Sequence, residues 1–152
     1  MIFIFWAIAI IILDQVTKYA AVKYLMGQSP YVIIMNHLEF RYVENYGAAF
    51  GILQGKRVFF IIIATIVILL VVFYLYKNYN NFTLIAKFAV FTLLGGAIGN
   101  LIDRVRLGYV IDFIRVSLLK SYDFPVFNIA DTFIVIGTIL IVYVVLFDKY
   151  EA

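Results

Sequence analysis

Four stretches of this sequence are long and apolar enough to cross a lipid bilayer, and that limits the fold more than any other feature. They cover residues of about 2–24, 58–76, 82–102 and 129–147. Each is near the roughly 20 residues that span about 30 Å of hydrocarbon as a helix. Backbone polar groups in lipid must be satisfied within the segment, so such stretches form α-helices. Composition agrees: 66% of the 152 residues are hydrophobic and 14% charged, against about half and about a quarter in average domains. The expectation is an all-α integral membrane protein, one domain over residues 1–152, with four transmembrane helices. An even number of spans puts both termini on one side. The first six residues carry no basic group ahead of the apolar run, so they read as a retained helix rather than a secretory leader.

The first span is unusual. Its purely apolar part, residues 2–13, would rise only about 18 Å at 1.5 Å per residue. The helix must therefore continue through Asp14, Gln15, Thr17 and Lys18. Asp14 and Lys18 stand at i and i+4, acid before base on one face. They read either as a membrane ion pair that cancels its own charge or as a device that holds substrate or active site. Residues 38–44 alternate aromatic and charged positions, the period of a strand, and Asn45-Tyr46-Gly47 follows as a turn. Open sheet edges are not tolerated in hydrocarbon, so a small β-sheet lying on the membrane is expected. Residues 77–81 form a short polar loop between the second and third spans. Residues 103–128 form a longer connection, on the same side as the first one.

Several chemistries are disfavoured. There is no cysteine, hence no disulfide and no thiolate nucleophile. His37 is the single histidine and does not begin an H-E-x-x-H motif, so a zinc site would need an all-carboxylate set. Ser29, Ser117 and Ser121 are the serines, and none lies in G-x-S-x-G; a serine–lysine dyad stays open by count, but no serine lies inside a span. The formal charge of +3 is spread along the chain, without the basic patch a nucleic acid would require. Lipid headgroups are the expected partners of these charges.

Carboxylates remain. Asp112 lies in the connection before the fourth span, and Asp131 at that span's mouth. A carboxylate near a bilayer is costly unless it has a partner or a task. Two that meet can share a proton and activate water, which is aspartic-protease chemistry. Alone, Asp112 reads as a loop charge. Asp131, three residues after Asn128, reads as half of a capping box. Asp123 is a rival partner, but Pro125 points to a surface turn there. Gly95 and Gly99 give a G-x-x-x-G spacing that lets helices approach closely. Asn100 and Arg104 follow on one face at i and i+4. Arg104 is suited to hold a carboxylate bidentately, from a neighbour or from substrate.

Five segments together resemble the motifs of bacterial lipoprotein signal peptidase (signal peptidase II), in that family's order over nearly the whole chain. They are Asp14–Lys18, Asn45–Phe50, Gly95–Arg104, Val110–Phe113 and Phe127–Asp131. The resemblance implies a membrane aspartic endopeptidase without cofactor or metal. Its substrates would be prolipoproteins carrying diacylglycerol on a cysteine, cut just before that residue. Asp112 and Asp131 would be the catalytic dyad. Asp14, Lys18, Asn45, Asn100, Arg104 and Asn128 would support it or contact substrate. Globomycin-like cyclic peptides would bind at the dyad.

The family topology also implies the bacterial cytoplasmic membrane, cytoplasmic termini, and an extracytoplasmic dyad and sheet. The positive-inside rule points the other way. Only Lys77, Lys87 and Lys149 would lie inward, while several outer basic residues sit beside acids: Lys18 with Asp14, Arg41 with Glu39, Arg104 with Asp103. The alternative from another class is a small proton-coupled transporter using Asp14 and Asp131 as proton carriers. A presenilin-type protease is a third option, but its Gly-x-Gly-Asp motif is absent.

Overall fold

In a computed structural model of the chain, residues 1–47, 54–119 and 122–149 are described. Four helices carry the fold: α1 (Ile2–Leu25), α2 (Arg57–Asn78), α3 (Leu84–Arg106) and α4 (Ile129–Leu146). All four are long and apolar enough to cross a membrane. Four strands accompany them: β1 (Tyr31–Ile34), β2 (Leu38–Asn45), β3 (Val110–Leu119) and β4 (Tyr122–Asp123). They form one antiparallel sheet in the order β1-β2-β3-β4.

The third helix sits differently from its expected bounds of 82–102. Thr83 caps its start, its hydroxyl oxygen accepting from the Ala86 amide at 3.2 Å, the arrangement Ser and Thr favour at N-caps. The helix then runs a turn further, to Arg106. Leu107 N–H closes on the Asp103 carbonyl at 2.7 Å, and Gly108 follows with φ of 92°, a conformation that ends helices at glycine. This last turn sets Asp103 and Arg104 on the same helix as Asn100.

The strand expected at 38–44 is β2. The strand β3 was not expected, and it corrects the reading of Asp112 as a loop charge: Asp112 pairs with Val43 of β2. The register shifts between Phe40 and Val43, and β3 donates two successive amides, Phe113 and Ile114, to the Phe127 carbonyl. That irregularity breaks the period-2 pattern by which strands are recognised. Asp123 itself lies in β4, its backbone opposite Ser117, while residues 124–126 around Pro125 lie outside helix and strand. Ala48, Ala49 and Phe50 of the Asn45 motif, and Ser121, lie outside the described residues.

Helix α3 contacts each of the other three helices. The small residues make this possible. A Cβ on Gly95 would meet Ile10 Cβ at 3.0 Å and the Ala7 carbonyl at 3.1 Å; one on Gly96 would strike the Ala130 carbonyl. Small residues at such crossings let backbones touch. Helix α2 buries only Leu75 and otherwise turns apolar side chains outward, as a lipid-facing helix does. The sheet is anchored by Ile111 and Phe113, which pack on Ala21 of α1 with Phe40, Tyr42 and Ile129 around them.

Candidate active site

Asp131 and Asp112 come from different elements and line one cleft of about 990 Å³ between the sheet and helices α3 and α4. Asp131 occupies the third position of α4. The Asn128 side-chain oxygen accepts its amide at 2.9 Å, and Asp131 Oδ2 accepts the Asn128 amide at 3.1 Å, completing the capping box. A cap alone would not reach elsewhere, but Asp131 Oδ1 also accepts from Asn100 Nδ2 at 2.7 Å. Asp112 accepts from Asn45 Nδ2 at 2.9 Å and from Asn128 Nδ2 at 2.7 Å. All four carboxylate oxygens therefore receive an N–H bond.

The orientation of each amide is fixed by a group that can only donate. The Lys18 ammonium reaches Asn100 Oδ1 at 2.8 Å, so Asn100 must offer its NH₂ to Asp131. The Asp131 amide does the same to Asn128, and the Gly47 amide, 3.0 Å from Asn45 Oδ1, does so to Asn45. Ammonium and backbone N–H groups have no acceptor lone pair.

Below the cleft lies a buried ionic network. Lys18 is 1% exposed and Asp14 0%, which excludes direct contact with substrate in this conformation. The Lys18 ammonium is 2.9 Å from Asp14 and 2.9 Å from Asp103. With Asn100 these give three acceptors for its three hydrogens. Asp14 Oδ1 accepts the Ala130 amide at 2.9 Å, one residue before Asp131; Asp103 Oδ2 accepts the Ile111 amide at 3.1 Å, one residue before Asp112. One lysine thus ties down both backbones that carry the dyad. Gln15 braces Asp103 at 2.9 Å. Asp103 and Gln15 were not among the expected site residues. The signal for Asp103 was its place four residues after Gly99, on the same helix face.

Arg104 lines the cleft but departs from its expected pairing, because Asp103 turns to Lys18. Its guanidinium donates to the Gly47 carbonyl at 3.3 Å and lies 5.2 Å from the Phe60 ring centre. It makes no ion pair among the described residues, leaving its charge to the cleft. At the rim, Glu44 accepts from Tyr46 at 2.6 Å and Tyr42 at 3.0 Å. These bonds, the Tyr46 one first, hold its carboxyl below the ordinary range. Burial, followed by the nearby Asp131 charge, pushes the Asp112 carboxyl up to about 7, against the opposing bonds from Asn45 and Asn128. Two adjacent carboxylates of which one readily keeps a proton can serve together as acid and base.

The model of one protein family, described as signal peptidase (SPase) II, matches residues 6–147. The chain belongs to the signal peptidase II family. It is 46% identical over 138 residues to a lipoprotein signal peptidase of Caldanaerobacter subterraneus subsp. tengcongensis, covering 91% of each chain. A lipoprotein signal peptidase of Staphylococcus aureus strain RF122 is 43% identical over 142 residues, or 93% of this chain and 86% of that one. A bacterial membrane enzyme solved by the in meso method at 2.3 Å resolution superposes with a TM-score of 0.84 at 40% identity, covering 96% of this chain and 88% of that one. This signal peptidase II is accordingly an aspartic-type membrane peptidase with several spans, and the transporter alternative finds no support.

Proposed function

We propose that this signal peptidase II removes signal peptides from diacylglyceryl-modified prolipoproteins, cutting just before the lipidated cysteine, with Asp112 and Asp131 as its catalytic pair. The observation that carries this reading is the asparagine bridge. Asn128 binds both aspartates and Asn100 fixes the second, at the wall of a single cleft. The resting pair holds one proton between the two carboxyls, with Asp112 assigned the acid role and Asp131 the base. Asp131 takes a proton from water as it attacks the scissile carbonyl, while Asp112 donates to the carbonyl oxygen. Collapse of the tetrahedral intermediate breaks the C–N bond, and a proton passes to the leaving amine. Asn45, Asn100 and Asn128 orient the carboxylates; Lys18 and Asp14 position the elements that carry them. Arg104 adds positive charge beside the developing oxyanion. The scheme requires no metal.

The dyad stands at the mouth of α4, on the side of the sheet and the long connections. We assign that side to the extracytoplasmic face and both termini to the cytoplasm, in the cytoplasmic membrane. Each buried CH₂ contributes about 0.8 kcal/mol to membrane anchoring, so two acyl chains fix the depth of the adjacent peptide bond. Positioning of this kind turns an encounter into an oriented complex. Globomycin-like cyclic peptides would compete for the same cleft. Matched peptides with and without the diacylglyceryl group, assayed in the same micelles with chelator present, test the proposal. The lipidated peptide should be cleaved and the thiol form largely ignored. Equal rates would remove lipid from recognition, and reversible inhibition by chelator would overturn the dyad scheme.

A further inference from the structure

We propose that Arg41 selects an acidic side chain in the substrate, about four residues past the cleavage point. The inference rests on the dyad reading above and adds a specificity element to it. Phe40 and Tyr42 pack toward the core around Ile111 and Phe113. Arg41, Val43, Glu44 and Asn45 line the dyad cleft. Asn45 touches Asp112. Arg41 lies four residues away along β2, about 11 Å because the shift between Phe40 and Val43 packs three β2 residues against the length of two. An extended peptide rises about 3.3 Å per residue, so a bond held at Asp112 places a residue three to four positions away beside Arg41.

The two ends of the cleft differ in chemistry. Ile134, Val135 and Ile136 of α4 line one wall within a membrane span, which suits the apolar signal peptide. The strand β2 lies outside the spans, which suits the polar product on the other side of the bond. Arg41 there carries charge that the fold does not consume. Among the described residues its ion-pair partner is Glu39, at 3.8 Å, and Glu39 stands closer to Arg115, at 3.3 Å. Arg41 Nε is buried without a hydrogen bond, while 40% of the side chain remains exposed. A guanidinium with donors to spare and an open approach matches a carboxylate in planar, two-point fashion.

The test uses the full-length protein in neutral detergent and diacylglyceryl peptides that differ only at the fourth residue past the cleavage point: Asp, Ala or Lys. The Asp peptide should exceed the Lys peptide about fivefold in kcat/KM at low salt, the scale of one exposed ion pair. The gap should shrink as ionic strength rises. Arg41→Glu should reverse the order, and Arg41→Gln should erase it. Equal rates for the three peptides with the unmodified enzyme would sink this inference and leave the dyad reading standing. A preference for Asp that survives Arg41→Glu would also sink it. If Arg41→Glu slows all three alike, and only in vesicles containing anionic phospholipid, Arg41 serves a lipid phosphate and the inference is wrong. Failure of the unmodified enzyme to cut any of the three would remove the endopeptidase reading and this inference with it.

Discussion

At the scale of single residues, each aspartate is held by amides whose flip is dictated from behind. Asp112→Asn would set an NH₂ against the donors of Asn45 or Asn128, and Asp131→Asn against Asn100 or the Asn128 amide. Each variant should abolish cleavage, and the double variant should be no worse than either, since a pair that acts as a unit is lost once. Single-turnover assays on protein of unchanged helix content check this. The Asp112 proton supplies a second outcome. Its carboxyl sits at about 7 when folded and about 3.9 when unfolded. The folded state binds the proton more tightly, so the stabilisation from this group is full below pH ~4 and lost as pH rises through about 7. The melting temperature in detergent should be lower at pH 8 than at pH 5, with a smaller difference in Asp112→Asn. Cleavage should fall over the same upper limb as the acid loses its proton.

At the scale of elements, the site depends on how closely α3 and α4 approach. A Cβ on Gly96 would collide with the Ala130 carbonyl and come within 2.9 Å of Ile134 Cγ1. Relief requires the helices to part, and Asn100 on one must reach Asp131 on the other at 2.7 Å. A misplacement of about 1 Å can cost about 100-fold in rate. Gly96→Ala should therefore lower kcat by about that factor while circular dichroism still reports a helical protein. The buried lysine makes the complementary case. Lys18→Met would leave Asp14 and Asp103 without their cation. Breaking a buried pair in this way costs about 3–5 kcal/mol. A large drop in melting temperature is expected, and adding Asp103→Asn should restore part of it.

At the scale of the molecule, the question is which way the bundle sits in the membrane. A count of basic residues opposes the assigned orientation, yet many of those residues are structurally engaged. Lys18 is buried with two carboxylates. Arg115 pairs with Glu39 at 3.3 Å. Arg57 donates to the carbonyls of Arg104 and Val105 at 2.9 and 2.7 Å, capping the end of α3. Charges consumed by the fold are weak topological signals compared with free ones in short loops. The chain has no cysteine, so single replacements can be labelled cleanly. Gln28 and Asn80 are both exposed and belong to opposite ends of the bundle. Gln28→Cys should react with an impermeant maleimide in intact cells, after permeabilising any outer membrane, and Asn80→Cys should not. The reverse pattern would invert the orientation.

Sequence alone determined the four spans, because apolar length is a local property that lipid enforces directly. It also determined β2 by its alternation, the capping box by the spacing of Asn128 and Asp131, and the pairing of Asp14 with Lys18 by one helical turn. The motif resemblance singled out Asp112 as well, where local pattern alone made it a loop charge. Only the tertiary structure decided that Asp112 sits on a strand, because β3 departs from a plain ladder where its Phe113 and Ile114 amides both reach the Phe127 carbonyl. Only the tertiary structure turned Asp103 away from its neighbour Arg104 and toward Lys18, a residue distant in sequence, which leaves Arg104 to face the cleft. The same holds for Asn100 and Asn128. The flip of Asn128 follows from its own cap bond, but its NH₂ meets Asp112 only because packing brings β3 beside α4, and Asn100 faces Asp131 only because Lys18 arrives from α1.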